Sequence, residues 1–318
     1  MEKLFQKISL SSATLVLVLL LGIFTTLFIS AKPAVEAFGL QFITDQRWNQ
    51  EIPLIESSDT VIEDSDDAII ADEDDEDMIL DEDDEEDAAT KTVFGGLVPI
   101  IGTLLSTLIA LLFAMPIAMG IAVFLAEIAS KNISKFVGMA IELLAAIPSI
   151  IFGMWGLYYF APLIADTFGG YQVSLLTAGL VLGVMILPFM AAVTRDSMNT
   201  TPDVLKESAY ALGATKFEVV KDIIFPYSKT GIIGSIILAL GRALGETMAV
   251  AFLIGAVYSL PDKITDPTIS IPVAMAVNFG EASGLGESAL FYLGLILFVM
   301  SFAVISFAKF YFLKRGNA

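Results

Sequence analysis

Two ionisable residues, Arg242 and Glu246, lie four apart inside an otherwise apolar stretch from Gly231 to Val257. An ionised side chain near the centre of a bilayer costs at least about 2.5–3.5 kcal/mol on insertion scales, so each of them needs compensation. On a continuous helix this spacing puts both on one face, where they can pair. A neutralised pair that only holds helices together is one reading. The basic residue comes first, however, which is the weaker order for a helix pair, and intramembrane charges commonly line pathways. In the second reading Arg242 offers a planar, permanently charged fork of donors to a passing tetrahedral oxyanion, and Glu246 neutralises it while the path is empty. Glu142, in another apolar stretch, is a third candidate for the pathway, with a structural role equally open. Gly241 and Gly245 form a Gly-x-x-x-Gly pair beside the charges, suited to close helix packing against a partner chain.

Other chemistry is poorly served. The 318 residues contain no His and no Cys, which removes the commonest general base, the commonest metal ligand, thiolate nucleophiles and disulfides. No Gly-x-x-x-x-Gly-Lys-Ser/Thr loop is present to hold a nucleotide. Neither a catalytic residue, a metal site nor a cofactor is expected.

The elements that carry these residues are membrane spans. Apolar residues make up 56% of the chain and mean hydropathy is +0.79, beyond the usual range of a soluble domain. Six stretches reach the roughly 20 residues a bilayer-crossing helix requires: Leu10 to Ala31, Leu97 to Leu125, Phe136 to Phe160, Leu175 to Val193, Gly231 to Val257 and Ala289 to Phe312. The first is too long for a signal-peptide core and is read as a retained helix at 1–31. Pro148 with Ser149 marks a kink in the third. Twelve basic residues fall in connections on the side of the N-terminus and only Lys32, Arg47, Lys91 and Lys263 on the other, so both termini are expected in the cytoplasm.

The net charge of −19 is local in origin. Between Asp45 and Asp87 stand 21 acidic residues against Arg47 alone, within an extracytoplasmic loop spanning 32–93. Asp72 to Asp77 and Asp81 to Asp87 form a crude repeat, for which self-repulsion and scarce apolar surface predict disorder. A calcium loop is disfavoured, since no Gly lies between Leu40 and Phe94 to make its turn.

The cytoplasmic segment at about 201–231 reads as helix, tight turn, helix. Thr201 is suited to cap the first helix with Pro202 at its first position, and Gly213 to end it in a left-handed conformation. Thr215 and Glu218 have the spacing of a capping box for the second helix, which Pro226 limits.

This segment resembles the EAA loop of ABC-importer permeases, whose pattern is Glu-Ala-Ala, three residues, Gly, nine residues, then Ile, any residue, Leu, Pro. Glu207, Ser208, Ala209, Gly213, Ile223, Phe225 and Pro226 occupy the motif, with Ser208 and Phe225 as mild departures. Glu142 to Gly156 and Gly241 to Val250 look like the corresponding stretches of the PstC-type permeases of phosphate importers. The resemblance covers roughly Phe94 to Arg315 and leaves out the acidic tract. It implies an all-α membrane protein of the bacterial plasma (inner) membrane with six transmembrane helices in the MetI-like permease fold, 94–318 forming a five-helix core with the first helix outside it. It further implies a second, PstA-like permease, two PstB-like ATPase subunits that dock on the EAA loop, and an extracytoplasmic PstS-like phosphate-binding protein. Nucleic acid has no place in that assembly.

Two rivals stand beside this expectation: a permease for another oxyanion such as sulfate or molybdate, which shares the EAA loop, and a channel or transporter working without ATP, which leaves the loop unexplained. The acidic tract is expected to be dispensable, because screening confines its repulsion of an anion to roughly 8–10 Å. Deletion of Glu63 to Asp87 should leave phosphate uptake by the assembled importer little changed. A collapse of uptake would instead assign the tract to docking a basic face of the binding protein.

Overall fold

The computed structural model describes residues 2–53 and 90–314, so the expectations for the acidic tract lie outside the described residues. Helix α1 (Glu2–Phe38) leads into a two-stranded antiparallel hairpin, β1 (Trp48–Pro53) and β2 (Thr90–Phe94). Next come α2 (Leu97–Val123), α3 (Lys131–Ala145), α4 (Ser149–Trp155), α5 (Ala161–Phe168) and α6 (Leu175–Asn199). After them stand α7 (Asp203–Ala211), α8 (Lys216–Glu218), α9 (Phe225–Leu244), α10 (Met248–Ala251), α11 (Ile271–Asn278) and α12 (Leu285–Lys314). Single π-helical turns, Phe124–Ile128, Gly156–Phe160 and Val219–Ile224, extend α2, join α4 to α5 and join α8 to α9. Among the described residues six helices are long and apolar enough to cross a membrane.

Helix α6 is the centre of the bundle. Ala178, Val181, Ile186, Met190 and Ala191 on it are wholly buried, and α2, α3 and α9 pack around it. Small residues set the α2–α6 distance: Ala110, Ala114, Ala118 and Ala122 form a buried stripe on α2, and Gly179 and Gly183 of α6 face Ser106, Ile109, Ala110 and Phe113. A Cβ at Gly179 would come within 2.8 Å of Ile109, and one at Gly183 within 2.8 Å of the Phe113 ring, so neither position has room for a larger residue. In a bilayer, where apolar transfer drives no association between helices, such close approach is the main source of packing energy. Helix α1 leans mainly on α12, with the Phe24 and Phe298 rings 5.6 Å apart, meets β2 through Phe38 and Phe94, and leaves most of its apolar surface exposed.

Two spans depart from the sequence reading. The stretch from Phe136 to Phe160 is not one span: α3 ends at Ala145, and the crossing segment is Ser149–Phe168. Pro148 has no N–H to continue the ladder and disfavours helical backbone at Ile147, so the chain breaks there. The fifth span begins at Lys216 and stops at Leu244, with Gly245 as its cap, instead of running to Val257. The hairpin was also unanticipated, since its strands pair across residues 54–89. Trp48 anchors it, stacked on Tyr258 at 5.0 Å and edge-on to Phe94 at 5.3 Å. Burial pushes the Tyr258 hydroxyl well above its ordinary pKa, and Asn278 Nδ2 donates to that oxygen at 2.8 Å.

One buried hydroxyl ties the start of α11 to α2. Thr103 Oγ1 accepts from the Ile271 N–H at 2.8 Å and donates to the Pro99 carbonyl at 2.7 Å. Thr103→Val orphans that buried N–H, at a cost of about 1–3 kcal/mol. The variant should melt at lower temperature in detergent, whereas Thr103→Ser, which keeps the acceptor, should melt close to wild type.

Candidate functional site

The segment at about 201–231 is built as a capped hairpin of helices. Helix α7 closes in a Schellman turn: the Gly213 N–H donates to the Tyr210 carbonyl at 2.9 Å, and the Ala214 N–H reaches Ala209 at 3.1 Å. Gly213 adopts φ +88°, and a Cβ added there would meet nothing within 4 Å, so backbone conformation and not crowding requires glycine. The capping box is present: the Glu218 N–H donates to Thr215 Oγ1, and Glu218 Oε2 accepts from the Thr215 N–H at 2.7 Å. Two expectations fail. Thr201 does not cap α7; it is buried, its hydroxyl has no partner among the described residues, and Pro202 is the N-cap. Pro226 does not end the second helix either. The π-helical turn Val219–Ile224 absorbs the missing proline donor, and Lys216–Leu244 runs on as one span.

Side chains of the motif divide between two surfaces. Glu207, Ser208 and Pro226 are exposed, as are the apolar Val204, Leu212 and Phe217. Ala209, Ile223 and Phe225 are half-buried and pack on a separate apolar cluster of Ala122, Met198, Val219, Val220, Ile224 and Ile232. Between the two helices lies a cleft of about 360 Å³ bordered by Leu212, Gly213 and Asp222. The loop thus rests on the ends of α2 and α6 and presents its other face outward.

Ionic contacts that the sequence did not reveal surround it. Arg195, near the end of α6, reaches Asp196 at 2.9 Å and Glu142 at 3.3 Å. Glu142 is therefore an exposed residue of α3 paired with Arg195, outside the crossing segment in which it was expected. Lys206 of α7 meets Glu127 in the π-helical turn after α2 at 2.6 Å. These partners stand 53 and 79 residues apart, and no local pattern marks them.

Arg242 lies at mid-height on an exposed face of the bundle. Helices α6 and α9 are antiparallel, with Thr194 and Ser235 hydrogen-bonded at 2.8 Å and Gly231 against Ser197. That register sets Arg242 opposite Ile186 and Leu187, midway along α6 and about 16 Å from Ser197 at 1.5 Å per residue. It is exposed and has no ion pair or hydrogen bond among the described residues. The expected pair with Glu246 does not form, because α9 ends between them; Glu246 Oε1 instead accepts the Ala249 N–H at 3.2 Å, capping α10. Gly241 packs on Ile305 of α12 within the chain, while Gly245 is exposed at the helix end. The stretches Glu142 to Gly156 and Gly241 to Val250 meet beside it: a Cβ on Gly153 of α4 would lie 3.0 Å from Ala249 and 2.9 Å from the Phe252 ring.

Residues 118–316 match the family model of the binding-protein-dependent transport system inner membrane component. The chain belongs to that family. Among the relatives of this permease, the phosphate transport system permease protein PstC of Pasteurella multocida is 40% identical over 97% of this chain and 90% of its own length. The PstC of Haemophilus influenzae is 39% identical over 97% and 92%. A probable PstC of Methanocaldococcus jannaschii is 31% identical over 98% and 93%. Among solved structures, the inward-facing MetNI methionine ABC transporter aligns with a TM-score of 0.57 at 20% identity, covering 69% of this chain and 94% of that one. The bacterial alginate ABC transporter aligns at 0.52 and 17% identity, covering 67% and 76%. The permease therefore has the fold expected of it, a multi-pass inner-membrane component with six apolar helices among the described residues.

The Gly213 turn sets the angle between α7 and α8. A side chain in left-handed backbone costs about 1–2 kcal/mol, less for Asn than for a β-branched residue. Amide exchange at positions 213 and 214 should be faster in Gly213→Val than in Gly213→Asn; equal protection in the two variants would mean the turn is not under conformational control.

Proposed function

We propose that this chain is one of two homologous permeases in an ATP-driven importer and that inorganic phosphate passes along a face carrying Arg242. The observation that supports this most is the isolated guanidinium at mid-depth. Against hydrocarbon it would be costly, so the face that bears it belongs to a water-filled path or a protein neighbour. A fork of fixed donors suits a tetrahedral oxyanion, and the absence of a paired carboxylate leaves those donors available to it. The PstC relatives favour phosphate over sulfate or molybdate.

Under this reading the exposed face of α7, with Glu207, Ser208 and Leu212, receives a separate ATPase chain on the cytoplasmic side, and an extracytoplasmic binding protein delivers the anion opposite. Both termini are then cytoplasmic. Gly245, exposed beside Arg242, gives the second permease room to approach. Glu142 acts on the pathway only indirectly, by holding Arg195.

In the assembled importer, Arg242→Gln should abolish nearly all ATP-dependent phosphate uptake, and Arg242→Lys, which keeps the charge but not the planar fork, should retain part. Glu246→Gln should be mild, since an amide oxygen still accepts the Ala249 N–H. The double variant Arg242→Gln with Glu246→Gln should stay inactive; recovery of uptake in that variant, at normal levels of complex, would reduce Arg242 to a structural counter-charge.

A further inference from the structure

Lys206 is turned away from the outward face of α7. Glu207, the next residue, is exposed, while the Lys206 side chain retains 16% exposure and that of Glu127 only 9%. Their nitrogen and oxygen are 2.6 Å apart. The other ion pairs among the described residues each have at least one partner close to half exposed or beyond: 47% and 18% for Arg47–Asp45, 15% and 62% for Arg195–Glu142. A pair this enclosed is directional and hard to separate, because parting it leaves two poorly solvated charges. The apolar cluster beneath the loop has no such directionality.

The receiving end is equally specific. Glu127 sits in the π-helical turn Phe124–Ile128, where Ala129 N–H reaches back to the Phe124 carbonyl at 2.8 Å and Ser134 Oγ donates to the Leu125 carbonyl at 2.8 Å. An irregular turn of this kind lets the end of a helix shift without melting the remainder, and π turns recur at functional sites. Above it α2 runs along α6 through its alanine stripe, so the pair connects the docking loop to one of the central helices of the bundle.

We infer that the Lys206–Glu127 ion pair is a coupling pin: it fastens α7 to the end of α2 so that movement of the docked loop displaces α2. Lys206 and Glu127 are positioning residues, and the inference rests on the permease reading above. It concerns transmission and not docking, since neither residue lies on the exposed face of α7.

The test uses the complete complex, with both permeases, the ATPase and the binding protein, in proteoliposomes. Three quantities are read: ATPase retained on purification, stimulation of hydrolysis by phosphate-loaded binding protein, and phosphate accumulated per ATP hydrolysed. Lys206→Met and Glu127→Gln should retain the ATPase yet lose about tenfold in phosphate per ATP, within the usual range for coupling between sites. Lys206→Arg, and the exchange Lys206→Glu with Glu127→Lys, should recover most of that ratio. An unchanged ratio in both single variants, or failure of Lys206→Arg to recover it, would overturn the pin. So would loss of the ATPase in proportion to lost uptake, which would make the pair a support for docking. If the wild-type complex itself took up no phosphate on ATP, the permease reading would fall and the pin with it; normal wild-type uptake beside fully coupled variants would remove the pin alone.

Discussion

A guanidinium held halfway along a bundle of apolar helices, with no ion pair among the described residues, constrains how this chain can exist in a bilayer. Arg242 is permanently charged, so its burden cannot be relieved by losing a proton. Glu246, the nearest acid in sequence, is drawn off to cap α10. The bundle accordingly has two kinds of surface. One is apolar and complete, as along α1 and α12; the other is charged at mid-depth and calls for water or a second chain. The proposed importer of paired permeases would meet that demand by placing the charged faces toward each other.

The same helix links that charge to the loop at about 201–231. From Lys216 to Leu244 the chain is one span, with Ile223, Phe225 and Pro226 near its start and Arg242 near its end. Its irregularity is the π-helical turn before the proline, seated on the cluster of Ala122, Met198 and Ile224. In the proposed coupling, movement of the loop would have two routes into the bundle: along α9 toward Arg242, and through Lys206 and Glu127 into α2. Close packing of α2, α6 and α9 through small residues makes these routes stiff, since a well-packed interface moves as a unit.

Much of this was legible in the sequence because it is encoded locally. Span length, the capping box at Thr215 and Glu218, and the left-handed glycine at 213 depend on residues within a few positions of one another. Other features were visible but misjudged. Pro148 and Gly245 both announced helix ends, yet the apolar composition around them suggested unbroken spans. Pro226 pointed to a boundary, which a π turn removed. What stayed hidden is non-local: the hairpin closed by Trp48 and Tyr258, and the ion pairs of Arg195 with Glu142 and Lys206 with Glu127. The pairing of Arg242 with Glu246 looked sound only while both were placed on one helix.

The central claim is that position 242 faces an aqueous path within the assembled importer. Because the chain contains no cysteine, Arg242→Cys introduces a thiol that can be assigned to this subunit by mass spectrometry. Its reaction with a membrane-impermeant, charged thiol reagent would be followed in the complete complex, with and without ATP. The account predicts modification by this reagent in at least one nucleotide state. Labelling solely by a lipid-soluble reagent, in every state, would place position 242 against hydrocarbon and contradict it.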